Sequence, residues 1–269
     1  MRELSLREVQ LMQLDVIKKV DEFCKKNNIL YYLIAGSCLG AVRHGGFIPW
    51  DDDIDIAMMR KDYDRFVQIF CTDFPSSNYF LQNTKTDKYF TLSLSRICIK
   101  NTYMPVKSEI HHKSFKNTYI DVFPLDNVPD DEFLRTKQMR SLKIIDRIIA
   151  LKAYHLYRDS FFEKLIKKTV SICLMVIPMS MLKKQREAVM TAYDQKSTQC
   201  VCSTTSKYGY NKQIIDRSIY GSPIKLLFEG VELNVPAKTK EYLMHLYGND
   251  YMQLPPKEKR VKPHKVYAL

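Results

Sequence analysis

The chain has 269 residues, enough for one large core or two small ones, and its 45% hydrophobic and 27% charged content excludes a disordered polypeptide. The net charge of +12 is uneven: residues 131–190 carry 13 Lys/Arg against 6 Asp/Glu and residues 251–269 carry 5 against 1, whereas residues 51–64 carry 6 acidic against 2 basic. An acidic focus in a basic chain suits a metal site that handles polyanionic substrates; the alternative is that the basic stretches are only solvated faces.

Ser5-Leu6-Arg7-Glu8 is a capping box, and Val9, Met12, Val16, Val20 and Phe23 follow at helical spacing until Asn27-Asn28. Leu30 to Ala35 reads as a buried strand broken by Gly36-Ser37. A short helix is expected over Leu39–His44, ended by Gly45-Gly46. Asp53 to Met58 alternates with period two, which predicts a strand with Asp53, Asp55 and Ala57 on one face. Tyr63, Phe66, Val67 and Phe70 mark a helix. Tyr79–Gln82, Tyr89–Ile99 and Thr118–Phe123 read as strands, and residues 130–195 as helical. The last third is mixed, with turns at Gly209, Gly221-Ser222-Pro223 and Gly230. The expected class is α+β: a core of mixed sheet and flanking helices over 1–129, then a mostly helical region over 130–269 that completes the site and meets acceptor or membrane.

Val170–Leu182 is the most apolar stretch. At 13 residues, interrupted by Pro178, it is shorter than the roughly 20 a bilayer span needs. It reads either as a core helix or, bracketed by Lys167-Lys168 and Lys183-Lys184, as a segment lying in a membrane interface. The N-terminus lacks the basic-then-apolar run of a secretion signal, and no pair among the seven cysteines has C-x-x-C spacing. Reduced thiols in the cytoplasm are expected.

The chemistry concentrates in Asp51, Asp52, Asp53 and Asp55. An EF-hand loop needs Gly at its sixth position, where Ile56 stands. A solvent-facing acidic turn accounts for Asp51 and Asp52, but not for two carboxylates on one face of an apolar strand, which repel unless a cation lies between them. Mg²⁺ (or Mn²⁺) suits such oxygen ligands together with substrate phosphates. Gly36-Ser37, where a strand meets a helix, can receive a phosphate on backbone amides and the serine hydroxyl. Asp121, alone between Ile120 and Val122, supplies a third carboxylate or has a structural partner. His44, His111 and His112 lack zinc-ligand spacing.

A Gly-Ser turn, an Asp-apolar-Asp-apolar strand and a later apolar-Asp-apolar strand form the pattern of the nucleotidyltransferase superfamily. The stretch "GSCLGAVRHGGFIPWDDDIDI" resembles the signature of the LicD family of phosphocholine transferases, related to fukutin-type proteins. The likeness continues in "YIDVFPLD" and "FEGVELNVPAKTKEYLMHLYGNDYMQLPP". It implies transfer of a phospho-alcohol, typically from CDP-choline, to a sugar hydroxyl with release of CMP. It implies Asp53, Asp55 and Asp121 as metal ligands, with Asp121 alternatively the base, and Gly36, Ser37 and Arg43 around the pyrophosphate. Arg96 meets a phosphate or ends a strand at the surface. Trp50 flanks the base or packs, and Tyr251 and Arg260 line the site or end a helix.

The expected acceptor is a teichoic-acid or lipopolysaccharide precursor, lipid-linked at the inner membrane face, with no nucleic-acid partner. A nucleotidyltransferase releasing pyrophosphate is the first alternative and a non-catalytic glycan- or lipid-binding module the second.

Overall fold

The computed structural model describes residues 1–105, 114–153, 177–205, 209–260 and 262–269. β1 (Arg2–Leu4) leads into α1 (Leu6–Lys26), which begins at the capping box: Ser5 Oγ accepts the Glu8 N–H and the Glu8 carboxylate accepts the Ser5 N–H. β2 (Tyr32–Leu33) is shorter than the expected strand because Ala35 turns the chain at φ 47°, and α2 (Ala35–His44) starts there. Gly36 and Ser37 therefore lie in the first turn of this helix. Gly45, at φ 66°, ends it.

β3 (Asp55–Met59) and α3 (Arg60–Asp73) follow as the patterning predicts. β4 (Tyr79–Gln82) pairs with β5 (Ser95–Ile99), whose start is later than expected. The Asp87 carboxylate accepts the Tyr89 N–H and its carbonyl accepts the Phe90 N–H, which turns residues 87–90 out of the ladder. After β6 (Thr102–Tyr103) comes β7 (Tyr119–Asn127), the centre of a sheet ordered β2-β3-β7-β5-β4. β3 and β7 are parallel and the other neighbours in that order antiparallel. Pro124 interrupts nothing, because β5 stops pairing at Val122 and β8 (Cys200–Cys202) starts at Asp126. The proline, which has no N–H to give, sits in the gap between them.

One face of the sheet carries Ile54, Ile56, Ile97, Ile120 and Val122, all fully buried. α3 packs there, with Tyr63 hydroxyl 2.7 Å from Ser95 Oγ, and α1 joins through Phe23 on Phe66 and Phe70. The opposite face carries Tyr32, Asp55, Asp121 and Arg96.

In the second half, α4 (Glu132–Ala153) packs on the helix Met179–Met190 through Ile145, Ile149 and Leu182. Beyond residue 200 the chain is richer in strands than expected. β9 (Ile214–Asp216) pairs with β8, while β10 (Ile224–Phe228) and β11 (Val231–Val235) form a hairpin. Its turn residues Glu229 and Gly230 are both left-handed, at φ 51° and 78°, the geometry a two-residue hairpin loop needs. β12 (Val266–Ala268) lies between β1 and β6. The class is α+β.

Tyr220, Phe228, Leu233 and Tyr242 share one buried core with Tyr32, Leu33 and Ile56, so this core draws on both sides of the boundary expected near 130. Of the apolar stretch, residues 170–176 lie outside the described residues, as do Lys167, Lys168, His111 and His112. Leu182 is buried and Lys183 Nζ donates to the Lys88 carbonyl. Among the described residues no helix is long and apolar enough to cross a membrane, and the six cysteines there are free thiols.

Candidate active site

The ladder brings the expected residues into one row. Asp55 on β3 is the register partner of Asp121 on β7, which is the partner of Arg96 on β5. Neighbouring strands lie about 4.8 Å apart and paired side chains point the same way, so two carboxylates and a guanidinium stand side by side. Arg96 Nε donates to Asp121 Oδ1 at 3.1 Å. The arginine is buried, 3.7 Å over the Tyr119 ring and 5.4 Å from the Phe90 ring. It is therefore an interior residue and not a strand-end surface one.

α2 sets Gly36 and Ser37 beside this row. Ser37 Oγ accepts the Asp55 N–H at 2.8 Å, fixing the start of β3 to the first turn of the helix. A Cβ on Gly36 would lie 2.9 Å from Asp51 Oδ2, so only glycine lets that carboxylate approach. Ala35, just before, donates its N–H to the Tyr242 hydroxyl. Arg43 lies two turns farther along α2; its Nη1 donates to the carbonyls of Tyr251 and Gln253 at 2.9 and 3.1 Å.

Burial through the acidic motif alternates. Asp51, Asp53 and Asp55 are half-buried, whereas Asp52 and Ile54 are buried. Asp52 is thus not part of a solvent-facing turn. Its Oδ2 accepts the His264 N–H at 2.6 Å and stands 3.0 Å from His264 Nδ1, and its carbonyl accepts from Gln13 Nε2 at 2.7 Å. The Arg260 guanidinium lies 4.2 Å over the Trp50 ring. His264 and Gln13 carry no sequence signal for these roles: one sits in a basic tail, the other on the buried side of an amphipathic helix.

Chemically, the row offers hard oxygen donors next to a fixed cation, which suits a phosphate bound with a divalent metal. Among the described residues no three His, Cys, Asp or Glu side chains are grouped so that together they could hold a metal ion.

Residues 28–143 match the family described as LicD/FKTN/FKRP, nucleotidyltransferase domain. The chain is 29% identical to the lipopolysaccharide cholinephosphotransferase LicD of Haemophilus influenzae, over 99% of this chain and 98% of that one. It is 43% identical to an uncharacterized protein of Rickettsia typhi over 26% of this chain and 22% of the relative. A third relative, an uncharacterized protein of Rickettsia prowazekii, is 48% identical over 20% of each chain. Residues 28–143 are thus a domain of the LicD family, and the likeness to a LicD protein runs over nearly the whole chain.

Proposed function

We propose that the protein transfers phosphocholine from CDP-choline to a sugar hydroxyl of a lipopolysaccharide-type glycan precursor, releasing CMP. The observation that carries this proposal is the row Asp55, Asp121 and Arg96 beside the Gly36-Ser37 helix start, in a chain alike over nearly its full length to a lipopolysaccharide cholinephosphotransferase. The first turn of α2 has no acidic residue of its own, and its positive end, which the Asp51 carboxylate approaches at Gly36, would receive the pyrophosphate. Ser37 accepts one bond from Asp55, and a hydroxyl keeps a hydrogen to donate.

Mg²⁺ (or Mn²⁺) fits the donor set. Asp53 and Asp55 would hold it, with Asp121 left as the base, and Mg²⁺ commonly takes one or two carboxylates and completes its shell with phosphate oxygens and water. Such an ion supplies charge neutralisation for the leaving phosphate. The other tasks fall to the chain. Arg96, held against Tyr119, presents positive charge to the transferred phosphoryl group. Asp121 takes the proton of the sugar hydroxyl as its oxygen attacks the phosphocholine phosphorus. The bond from that phosphorus to the bridging oxygen breaks in line, and the electron pair leaves on CMP. A lipid-linked acceptor suits the basic charge of residues 131–190.

Incubation with Mg²⁺, the glycan and, in separate reactions, CDP-choline, CDP-ribitol, CDP-glycerol and nucleoside triphosphates tests the proposal. CMP release and glycan-bound phosphocholine are expected with CDP-choline. Pyrophosphate release from a triphosphate, with CDP-choline inert, would make the protein a nucleotidyltransferase instead.

A further inference from the structure

The family domain spans residues 28–143, yet three contacts on its stretch from Arg43 to Asp52 come from residues between Tyr251 and His264. Arg43, just upstream of the motif, is bound to the carbonyls of Tyr251 and Gln253. Trp50, at its start, is covered by Arg260, whose Nε donates to the Pro255 carbonyl. Asp52, in its middle, is bound by the His264 main chain and faces its ring. Immediately downstream, Val266 is fully buried with Val9 and Met104, and β12 is paired on both edges. The segment is therefore anchored at its far end and laid across residues 43–52.

Four aspartates within five positions repel one another. The main chain that carries them keeps its shape only if something opposes that repulsion. Asp52, the inward-facing member, meets donors on both sides: His264 on its carboxylate and Gln13 on its carbonyl. The half-buried Asp51, Asp53 and Asp55 alternate in burial with it.

We propose that residues 251–260 and 262–264 strap the acidic motif and aim it, with Asp52 and His264 as positioning residues and the Arg260–Trp50 stack as a second fastening. The strap acts on Asp53 and Asp55 through the main chain and does not itself touch the transferred group. This inference rests on the proposed cation-binding role of Asp53 and Asp55. Residues that orient ligands from outside a metal site typically change metal affinity or activity by about 10–100-fold when removed.

The test uses the full chain and Mn²⁺, whose binding is read by electron paramagnetic resonance without any turnover. It compares wild type, Asp52→Ala, the double variant His264→Ala/Arg260→Ala, and Asp53→Asn. Asp52→Ala and the double variant should lower Mn²⁺ affinity and kcat by about 10–100-fold with little change in donor KM. Amide exchange should quicken over residues 43–55 and stay unchanged elsewhere. The double variant replaces two side chains that reach the surface, so it keeps the test open if Asp52→Ala does not fold. Mn²⁺ affinity and kcat within about twofold of wild type in Asp52→Ala, which removes the acceptor of the His264 N–H, would overturn the strap. The same result in the double variant would overturn the fastening role of the His264 and Arg260 side chains. Asp53→Asn separates the two proposals. If it loses Mn²⁺ while the strap variants bind normally, the strap alone fails. If it binds Mn²⁺ as wild type does, the metal site itself fails.

Discussion

Asp121 is where the proposed chemistry is most exposed to a single substitution. It is held between Asp55 on one strand and Arg96 on the other. Asp121→Asn keeps the shape of the side chain but cannot take the hydroxyl proton. We expect kcat to fall by about 10²–10⁴-fold with donor KM little changed; steady-state kinetics with CDP-choline checks this, and a near-normal kcat would remove Asp121 from the role of base. Asp53→Asn should also abolish most turnover while leaving the melting temperature unchanged or higher, because neutralising one of several crowded carboxylates relieves repulsion in the metal-free protein. The sequence singles out Asp121 because a lone carboxylate in an apolar strand needs a reason. Arg96 is ambiguous there, since a guanidinium can reach water from many strand positions; only the aromatic walls of Tyr119 and Phe90 show it to be interior.

At the level of elements, the far end of the same strand pair holds a second charged cluster. Arg60 opens α3 and Asp126 stands next to the end of β7, one step beyond the Met59–Leu125 register pair. Arg60 Nε donates to Asp126 Oδ1 at 2.6 Å and its Nη1 to Glu187 Oε1 at 2.6 Å, tying the sheet to the helix Met179–Met190. Burial works against the Arg60 charge, but the pull of Asp126, with Glu187 and Asp64, more than offsets it and raises its pKa. Arg60→Met strands a buried carboxylate and should cost about 3–5 kcal/mol in urea unfolding, and adding Asp126→Leu should recover most of that. Burial also pushes the Asp126 carboxyl up from 3.8 to about 6, against the pull of Arg60. A carboxyl raised on folding contributes stability that is full below its unfolded pKa and lost as pH rises through the folded one. Wild type should therefore lose stability relative to Asp126→Asn between about pH 4 and pH 7, by roughly 3 kcal/mol over the range. A constant difference across that range would refute the assignment.

For the whole molecule, the decisive feature is that distant segments complete one core. Tyr32 bonds to the Gly221 carbonyl and packs on Tyr220, which packs on Tyr242, and Tyr242 in turn accepts the Ala35 N–H. The end of β7 pairs with β8. A fragment of residues 1–129 would expose Tyr32 and Leu33 and leave the Ala35 N–H without its hydroxyl partner. Its expected behaviour is that of an incompletely packed chain, with weak near-ultraviolet circular dichroism and no cooperative thermal transition. A sharp transition in that fragment would show that the first half is an independent domain.

Local rules explain what the sequence by itself determined. The capping box at Ser5, the alternation from Asp53 to Met58, the break at Gly36-Ser37 and the isolated Asp121 act within a turn of helix or a few strand positions, so residue order suffices to reveal them. With them came the α+β class, the metal-suited carboxylates and the likeness to the LicD family. Tertiary structure alone decided that Asp55 stands beside Asp121, that Arg96 is interior, that Ala35 starts a helix at positive φ, and that Asp52 turns inward to His264, 212 residues away. Strand register and the pairing of a buried charge draw their free energy from desolvation and packing. Those terms exist only once the chain has closed on itself, so no local window of residues contains them.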